Sequence, residues 1–238
     1  MGPVLEVSGL CKQYPNFSLK NVSFSLEKGH IMGFLGRNGA GKTTTMKSIL
    51  GLVHRDGGIV RVLGQDDTGS DVRRHIGYAS GGAVFYPRKT LAQITALTKS
   101  FYPDWDDAAF AHYLEVFRLD TGKQIRQLSE GMKVKFQLAL ALSHGAELLI
   151  LDEPSSGLDP VSRAELTDIF RQLAAKGTSI LFSTHITTDL SGCADDITYI
   201  QAGEIIASKP LPAFLADHAD CDGLEAVMVK LEKEEIQL

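Results

Sequence analysis

A nine-residue run, Gly36-Arg37-Asn38-Gly39-Ala40-Gly41-Lys42-Thr43-Thr44, constrains this chain more than any other stretch. It satisfies G-x-x-x-x-G-K-[ST], with Gly36, Gly41, Lys42 and Thr43 at the fixed positions. Those residue types would coincide by chance in roughly one chain in a hundred of this length. Ile31-Met32-Gly33-Phe34-Leu35 reads as an apolar strand leading in, and Thr44 to Leu52 as a helix leading out. In that setting the glycines let successive backbone N–H groups turn inward as an anion nest, and the helix N-terminus adds partial positive charge. Gly36, Asn38, Gly39, Ala40, Gly41, Lys42, Thr43 and Thr44 are therefore candidate phosphate-binding residues. Lys42 would reach the terminal phosphates of a nucleotide, and the Thr43 hydroxyl would ligate Mg²⁺.

The flanking pattern says what kind of sheet holds this loop. Before it, Val4 to Leu10 and Val22 to Leu26 read as strands broken by polar residues and Lys28-Gly29, with Tyr14-Pro15-Asn16-Phe17 between them. After it come a short strand Ile59 to Leu63, a polar turn at Gly64-Gln65-Asp66-Asp67, and a strand Ile76 to Ala79 ending in Ser80-Gly81-Gly82. The middle changes period. Leu91, Ile94, Leu97 and Phe101 mark one helical face and Phe110, Tyr113, Leu114 and Phe117 another, with Pro103 between them and Asp104 or Asp106 as cap. A further helix runs from Glu130 to Ser143. Alternation then resumes: strand Leu148 to Leu151, helix Pro160 to Ala175, strand Thr178 to Ser183, a short helix after His185, strands Ile197 to Gln201 and Glu204 to Ser208, and a helical tail from Pro210. Strands alternating with helices predict an α/β fold on a mainly parallel sheet, with ligands at the carboxyl ends of its strands. The expected division is a catalytic core at 1–79 and 145–208 that includes an antiparallel β-subdomain, a helical insert at about 80–144, and a tail at 209–238.

Leu148-Leu149-Ile150-Leu151-Asp152-Glu153 places two carboxylates at the end of an apolar strand. Beside a phosphate loop, Asp152 can hold Mg²⁺ and Glu153 can act as general base toward an attacking water. Ser129 precedes the helix that opens at Glu130, where taken alone it is an N-cap. Ser155-Ser156-Gly157-Leu158-Asp159 follows the acidic strand, and Ser183-Thr184-His185 ends the next one.

The net charge of −5 argues against general nucleic-acid binding, which needs a basic excess. No apolar run approaches the roughly 20 residues a bilayer requires, and no signal-peptide pattern opens the chain. Cys11, Cys193 and Cys221 are odd in number and widely spaced, so they read as reduced thiols. The seven histidines and three cysteines form no cluster at metal-ligand spacing. These features predict a cytoplasmic protein without a membrane segment.

In order and identity, the five elements resemble the nucleotide-binding subunits of ATP-binding-cassette (ABC) transporters. Gly36 to Thr44 matches that family's Walker A sequence, and Leu128-Ser129-Glu130-Gly131-Met132 its signature, usually LSGGQ. Leu148 to Glu153 matches Walker B with Glu153 as the catalytic base, Ser156 to Asp159 resembles the D-loop, and His185 falls at the switch histidine. Tyr14 fits the aromatic that stacks on adenine. The resemblance implies a P-loop ATPase fold and an ATP- and Mg²⁺-dependent hydrolase with Lys42, Glu153 and His185 as catalytic groups. Thr43 and Asp152 would hold the metal. Two subunits would pair head to tail, so that Ser129 and Gly131 of one cap the γ-phosphate bound by the other, with Asp159 at the junction. The partners implied are a second ATPase subunit, identical or not, and a separate membrane permease that holds the chain at the inner face of the membrane. The stretch Phe101 to Asp107 looks like a feature of a bacterial subgroup that serves drug, antibiotic or antimicrobial-peptide exporters. Soluble members that assemble iron–sulfur clusters are the alternative, whereas translation and genome-maintenance members carry tandem cassettes or long coiled coils not seen here.

One position departs from the family. Where a glutamine normally helps ligate Mg²⁺ and links the site to the permease, Gly81 stands nearest. No side chain there can ligate a metal: either Ser80 or water substitutes, or coordination is weaker and coupling runs differently, and the expectation is MgATP binding through Thr43 and Asp152 with slow hydrolysis by the subunit alone. The stretch Phe101-Tyr102-Pro103-Asp104-Trp105-Asp106-Asp107 admits two readings: a capped helix start with aromatic core contacts, or a surface for the permease shared with Phe85-Tyr86-Pro87.

Overall fold

A computed structural model of the chain describes residues 2–66, 70–80 and 85–236. Gly81 and its neighbours to 84, and Asp67, lie outside the described residues, so the expectation for Gly81 has no structural counterpart here.

The chain opens with β1 (Leu5–Tyr14) and β2 (Phe17–Leu26), an antiparallel hairpin longer than the sequence pattern suggests, because pairing runs to Tyr14↔Phe17 at a tight turn. β3 (Ile31–Leu35) leads to α1 (Lys42–Ile49). β4 (Gly57–Val62) and β5 (Gln65–Asp66) pair antiparallel, so the polar turn expected at Gln65-Asp66 is a short strand. The β2-β1-β4-β5 sheet is the antiparallel subdomain.

α2 (Ser70–Arg74), too short for periodicity to reveal, precedes β6 (Ile76–Ser80). The helical insert contains α3 (Leu91–Lys99), α4 (Asp107–Val116) and α5 (Glu130–Ser143). α3 starts at a reciprocal capping box, with Gln93 N donating to Thr90 Oγ1 and Thr90 N to Gln93 Oε1, each at 3.2 Å. Asp106, not Asp104, caps α4 through the amides of Ala108 and Ala109. The expected apolar face of α3 fails at its second half: Leu91 and Ile94 are buried, but Leu97 is 51% and Phe101 69% exposed. Leu91 and Ile94 join the core built around Val134, Phe136, Leu138 and Ala139 of α5, whereas Leu97 and Phe101, near the end of α3 at Lys99, are not part of it. Trp105 tilts against Phe110 at a ring-centroid distance of 5.3 Å, the capped-start arrangement. Phe85 and Tyr102 do line a groove against α5, whereas Tyr86 points to solvent and neither it nor Trp105 lines that groove.

The second half supplies β7 (Leu148–Asp152), α6 (Pro160–Ala175), β8 (Ser179–Thr184), α7 (Thr187–Cys193), β9 (Asp196–Gln201) and β10 (Glu204–Pro210). The tail folds as two helices, α8 (Leu211–Ala216) and α9 (Gly223–Ile236). The larger sheet has the order β10-β9-β3-β8-β7-β6 and is parallel except for β10 against β9. β3, β7 and β8 are buried at every residue, as central strands covered on both faces must be. β10, at the edge, alternates exposed and half-buried positions. One face of this sheet packs on the helical insert, α6 and the tail; the other packs, with α1, against the antiparallel sheet. Among the described residues no helix is long and apolar enough to cross a membrane.

A titratable contact joins the start of β3 to the start of its neighbour β9. His30 Nδ1 lies 2.7 Å from Asp196 Oδ2, and that hydrogen bond raises the His30 pKa above its ordinary 6.5 against a smaller loss from burial. A raised folded pKa stabilises the protonated form, so the contribution is complete below the unfolded pKa and fades as pH climbs through the folded one. The stability gap between the native chain and His30→Ala should therefore be widest below about pH 6.5 and narrow above it, as read by denaturant unfolding across that range. A gap that widens with rising pH would contradict this assignment.

Candidate active site

The loop between β3 and α1 is shaped by what glycine permits. A Cβ on Gly36 would lie 2.4 Å from the carbonyl oxygen of Ile200, and Gly41 takes φ +117° with a Cβ position already occupied by Phe17 and Leu19. Residues with side chains fit neither place, so the loop is pressed onto β9 and the β2 end. Lys42, 5% exposed, folds back over the loop: its Nζ donates to Gly36 O at 2.6 Å and Arg37 O at 3.1 Å, and lies 3.2 Å from Glu153 Oε1.

The parallel register sets Asp152 of β7 beside Ser183 of β8. Asp152 Oδ1 accepts hydrogen bonds from Ser183 Oγ at 2.7 Å and from Thr43 Oγ1 at 3.1 Å, so a buried carboxylate and the loop hydroxyl converge. Adjacent strand residues point oppositely, yet Glu153 also turns into the site. It does so because its backbone is left-handed, φ 52°, with its amide held by Ser183 Oγ at 2.9 Å. For a residue with a Cβ this conformation costs on the order of 1 kcal/mol, and such strain concentrates at functional sites. Glu153 then spans two groups, Lys42 through Oε1 and His185 Nδ1 through Oε2 at 2.7 Å.

These residues face a cavity of about 620 Å³, within the range of small-molecule sites, lined by Asn38, Gly39, Gly41, Lys42, Thr43, Thr44, Glu153 and His185 together with Asn16, Phe17, Arg37 and Ser156. Gly36 and Asp152 join it through Lys42 and Thr43, and Ala40 is buried in the loop beneath. Thr43 Oγ1 and Asp152 Oδ1 are neighbouring hard oxygen donors, the set that suits Mg²⁺.

The remaining candidates stand elsewhere. Tyr14 is not in the lining; it is 37% exposed at the end of β1, with Lys12 Nζ 5.4 Å from its ring centroid, and Phe17 on the opposite strand takes the cavity wall instead. Ser129 caps α5 by accepting from Met132 N at 3.2 Å, and Gly131 lies beside Leu158 and Ser162, neither of them on the cavity. Asp159 caps α6, accepting from Val161 N, Ser162 N and Ser162 Oγ, and these bonds hold its carboxyl below the ordinary range. Sequence reasoning missed Ser183, the anchor of both acids, and the left-handed Glu153; nothing in a linear pattern marks either. It also missed the tail's reach: Glu232 of α9 accepts from the Tyr199 hydroxyl at 2.6 Å and pairs with Arg37 at 3.4 Å.

Comparison with known proteins agrees with this geometry. Residues 19–156 match the family described as ABC transporter. An uncharacterized ABC transporter ATP-binding protein of Synechocystis is 32% identical over 91% of this chain and 62% of its own length. The bacitracin transport ATP-binding protein of Bacillus licheniformis is 32% identical over 88% of this chain and 71% of its own. The chain thus spans about two thirds of the length of these curated relatives. A solved ATP-binding subunit of an ABC transporter superposes with a TM-score of 0.85 at 29% identity, covering 96% of this chain and 99% of that one.

Proposed function

The chain belongs to the ABC transporter family, and from that premise we propose that it binds and hydrolyses ATP to power a separate membrane permease. The observation that carries this reading is Glu153, held between Lys42 and His185 on the wall of a phosphate-loop cavity. Phosphates entering the cavity compete with Glu153 for the Lys42 ammonium, which releases the carboxylate to accept a proton from the attacking water. His185 orients that carboxylate through the 2.7 Å contact. As water adds to the γ-phosphorus the bond to the β-phosphate breaks, and ADP and phosphate leave. Thr43 and Asp152 would hold Mg²⁺, which supplies positive charge at the phosphate oxygens.

The cavity carries half of the expected site, because Ser129 and Gly131 lie off it. A second subunit arranged head to tail would bring its own Ser129, a helix N-cap, to the γ-phosphate. In a complex with that permease the chain would sit at the inner face of a membrane, and the bacitracin transport relative supports an exporter of drugs, antibiotics or peptides. Slow turnover by the isolated subunit remains the expectation from Gly81.

Complementation tests the composite site. Lys42→Ala and Ser129→Ala should each be nearly inactive alone in a phosphate-release assay with the permease complex or at high subunit concentration. Mixed, they form pairs in which one loop and one Ser129 are both intact, and activity should return. Two inactive variants that stay inactive on mixing, although each still dimerises, would rule out head-to-tail sharing.

A further inference from the structure

We propose that Asp189 is a positioning residue: its buried carboxylate ties the loop that carries Glu153 to the loop that carries His185. Asp189 sits in the first turn of α7 and is 4% exposed. Its Oδ2 accepts a hydrogen bond from Ser155 Oγ at 2.5 Å and from Thr184 Oγ1 at 3.4 Å. Ser155, two residues beyond Glu153, is 4% exposed; Thr184, immediately before His185, is fully buried and also accepts the Ile186 amide at 2.9 Å. One carboxylate oxygen therefore holds a hydroxyl from the loop that leaves β7 and another from the last residue of the adjacent parallel strand β8, immediately before His185. The next contact outward is the Glu153–His185 pair itself.

The placement is expensive for an ordinary helix acid. A first-turn carboxylate earns its favourable interaction with the helix dipole at the surface, where water still solvates it. Asp189 is instead withdrawn from water, and among the described residues no Lys, Arg or His pairs with it. A buried carboxylate without a cation is tolerated where hydrogen bonds satisfy it, and here the donors are Ser155 and Thr184, which lie close to Glu153 and His185 in the chain. Strand register ends at Asp152 and Thr184, so beyond it side-chain contacts hold the two segments together, and Asp189 adds to those that Glu153 makes with Ser183 and His185. A shift of about 1 Å between a base and its orienting partner can reduce turnover by roughly 100-fold. Asp189 does not touch the cavity, so its effect is transmitted through Ser155 and Thr184.

The inference rests on Glu153 and His185 acting together as proposed above. The test uses the full chain with Asp189→Asn, which keeps the volume, Thr184→Val, which removes one of the two hydroxyls, and Cys193→Ala, which perturbs the same helix without touching the carboxylate. In ATP turnover by the purified chain, Asp189→Asn and Thr184→Val should lower kcat by on the order of 10- to 100-fold with KM for ATP unchanged, and Cys193→Ala should match the native chain. The second readout is the imidazole NMR signal of His185 in the nucleotide-free chain, which reports the contact with Glu153 whether or not ATP is turned over. It should move in both loop variants and hold in Cys193→Ala. A native chain that does not hydrolyse ATP would sink the functional reading, while the His185 signal would still decide this one. An unmoved signal, or an unmoved kcat in a chain that is active, overturns the role of Asp189.

Discussion

Glu153→Gln is expected to lower ATP turnover by roughly 10²- to 10⁴-fold, the usual contribution of a positioned general base, while nucleotide binding tightens. The two effects have one origin. In the native chain Glu153 Oε1 is 3.2 Å from Lys42 Nζ, so phosphates must displace a carboxylate before they reach the ammonium. The amide of glutamine is neutral and competes weakly, yet it keeps the size and the hydrogen-bonding reach toward His185. Phosphates are then held more firmly, and the water they face has no base. ATP trapped in this way should also accumulate subunit pairs, since the nucleotide would bridge the loop of one and Ser129 of the other. Phosphate release, titration with a fluorescent ATP analogue and sedimentation velocity read the three consequences separately. Native-rate turnover by Glu153→Gln would exclude this residue as the base.

Gly36→Ala is expected to damage the loop itself. The added methyl would lie 2.4 Å from the Ile200 carbonyl and 3.0 Å from Ile200 Cγ2. Ile200 cannot yield, because β9 is pinned between β3 and β10 and the residue is fully buried. The loop must lift instead, which breaks the 2.6 Å bond from Lys42 Nζ to Gly36 O and misaims the amides. Overpacking of this kind costs about 1–3 kcal/mol of stability. Nucleotide affinity should fall about tenfold or more, since ~1.4 kcal/mol of lost alignment is already tenfold. Gly39→Ala is the informative contrast. Gly39 has φ +87° but nothing within 4 Å of its Cβ position, so only the backbone strain of about 1–2 kcal/mol applies. Thermal unfolding and analogue titration on both variants should show Gly36→Ala as the worse binder; equal binding would mean that contact with β9 does not shape the loop.

Much of the fold could be read along the chain because its elements announce themselves locally. Glu130–Ser143 and Pro160–Ala175 are helices at the residues the pattern indicates, since Ser129 and Asp159 cap them and apolar residues recur at helical spacing. The buried strands at Leu148 and Ser179 are short apolar runs bounded by turn residues. What failed was long-range in cause. The hairpin of β1 and β2 extends to Tyr14 and Phe17 because each strand supplies the other's hydrogen bonds, and no local propensity encodes that. Leu97 and Phe101 have the spacing of an apolar face, yet both stand exposed among the described residues.

The candidate site divides in the same way. The loop residues, Asp152, Glu153 and His185 were identifiable because motif chemistry fixes residue type at fixed spacing, and the strand–loop–helix setting is local. Bringing them together was not local. Ser183 stands 31 residues from Asp152, and it anchors both acids only through the parallel register of β7 with β8. Tyr14 and Phe17 are both aromatic and three residues apart, yet the turn between them sends only Phe17 to the cavity. By itself the sequence determined that this chain builds a phosphate-binding loop followed by an acid pair, because those demands are met by residue type and spacing. Only the tertiary structure decided that Glu153 turns left-handed to face Lys42 and His185, that Asp189 is buried between their loops, and that Ser129 stands apart. Those placements depend on strand register and on which faces are covered, and both are set by contacts far apart in the chain.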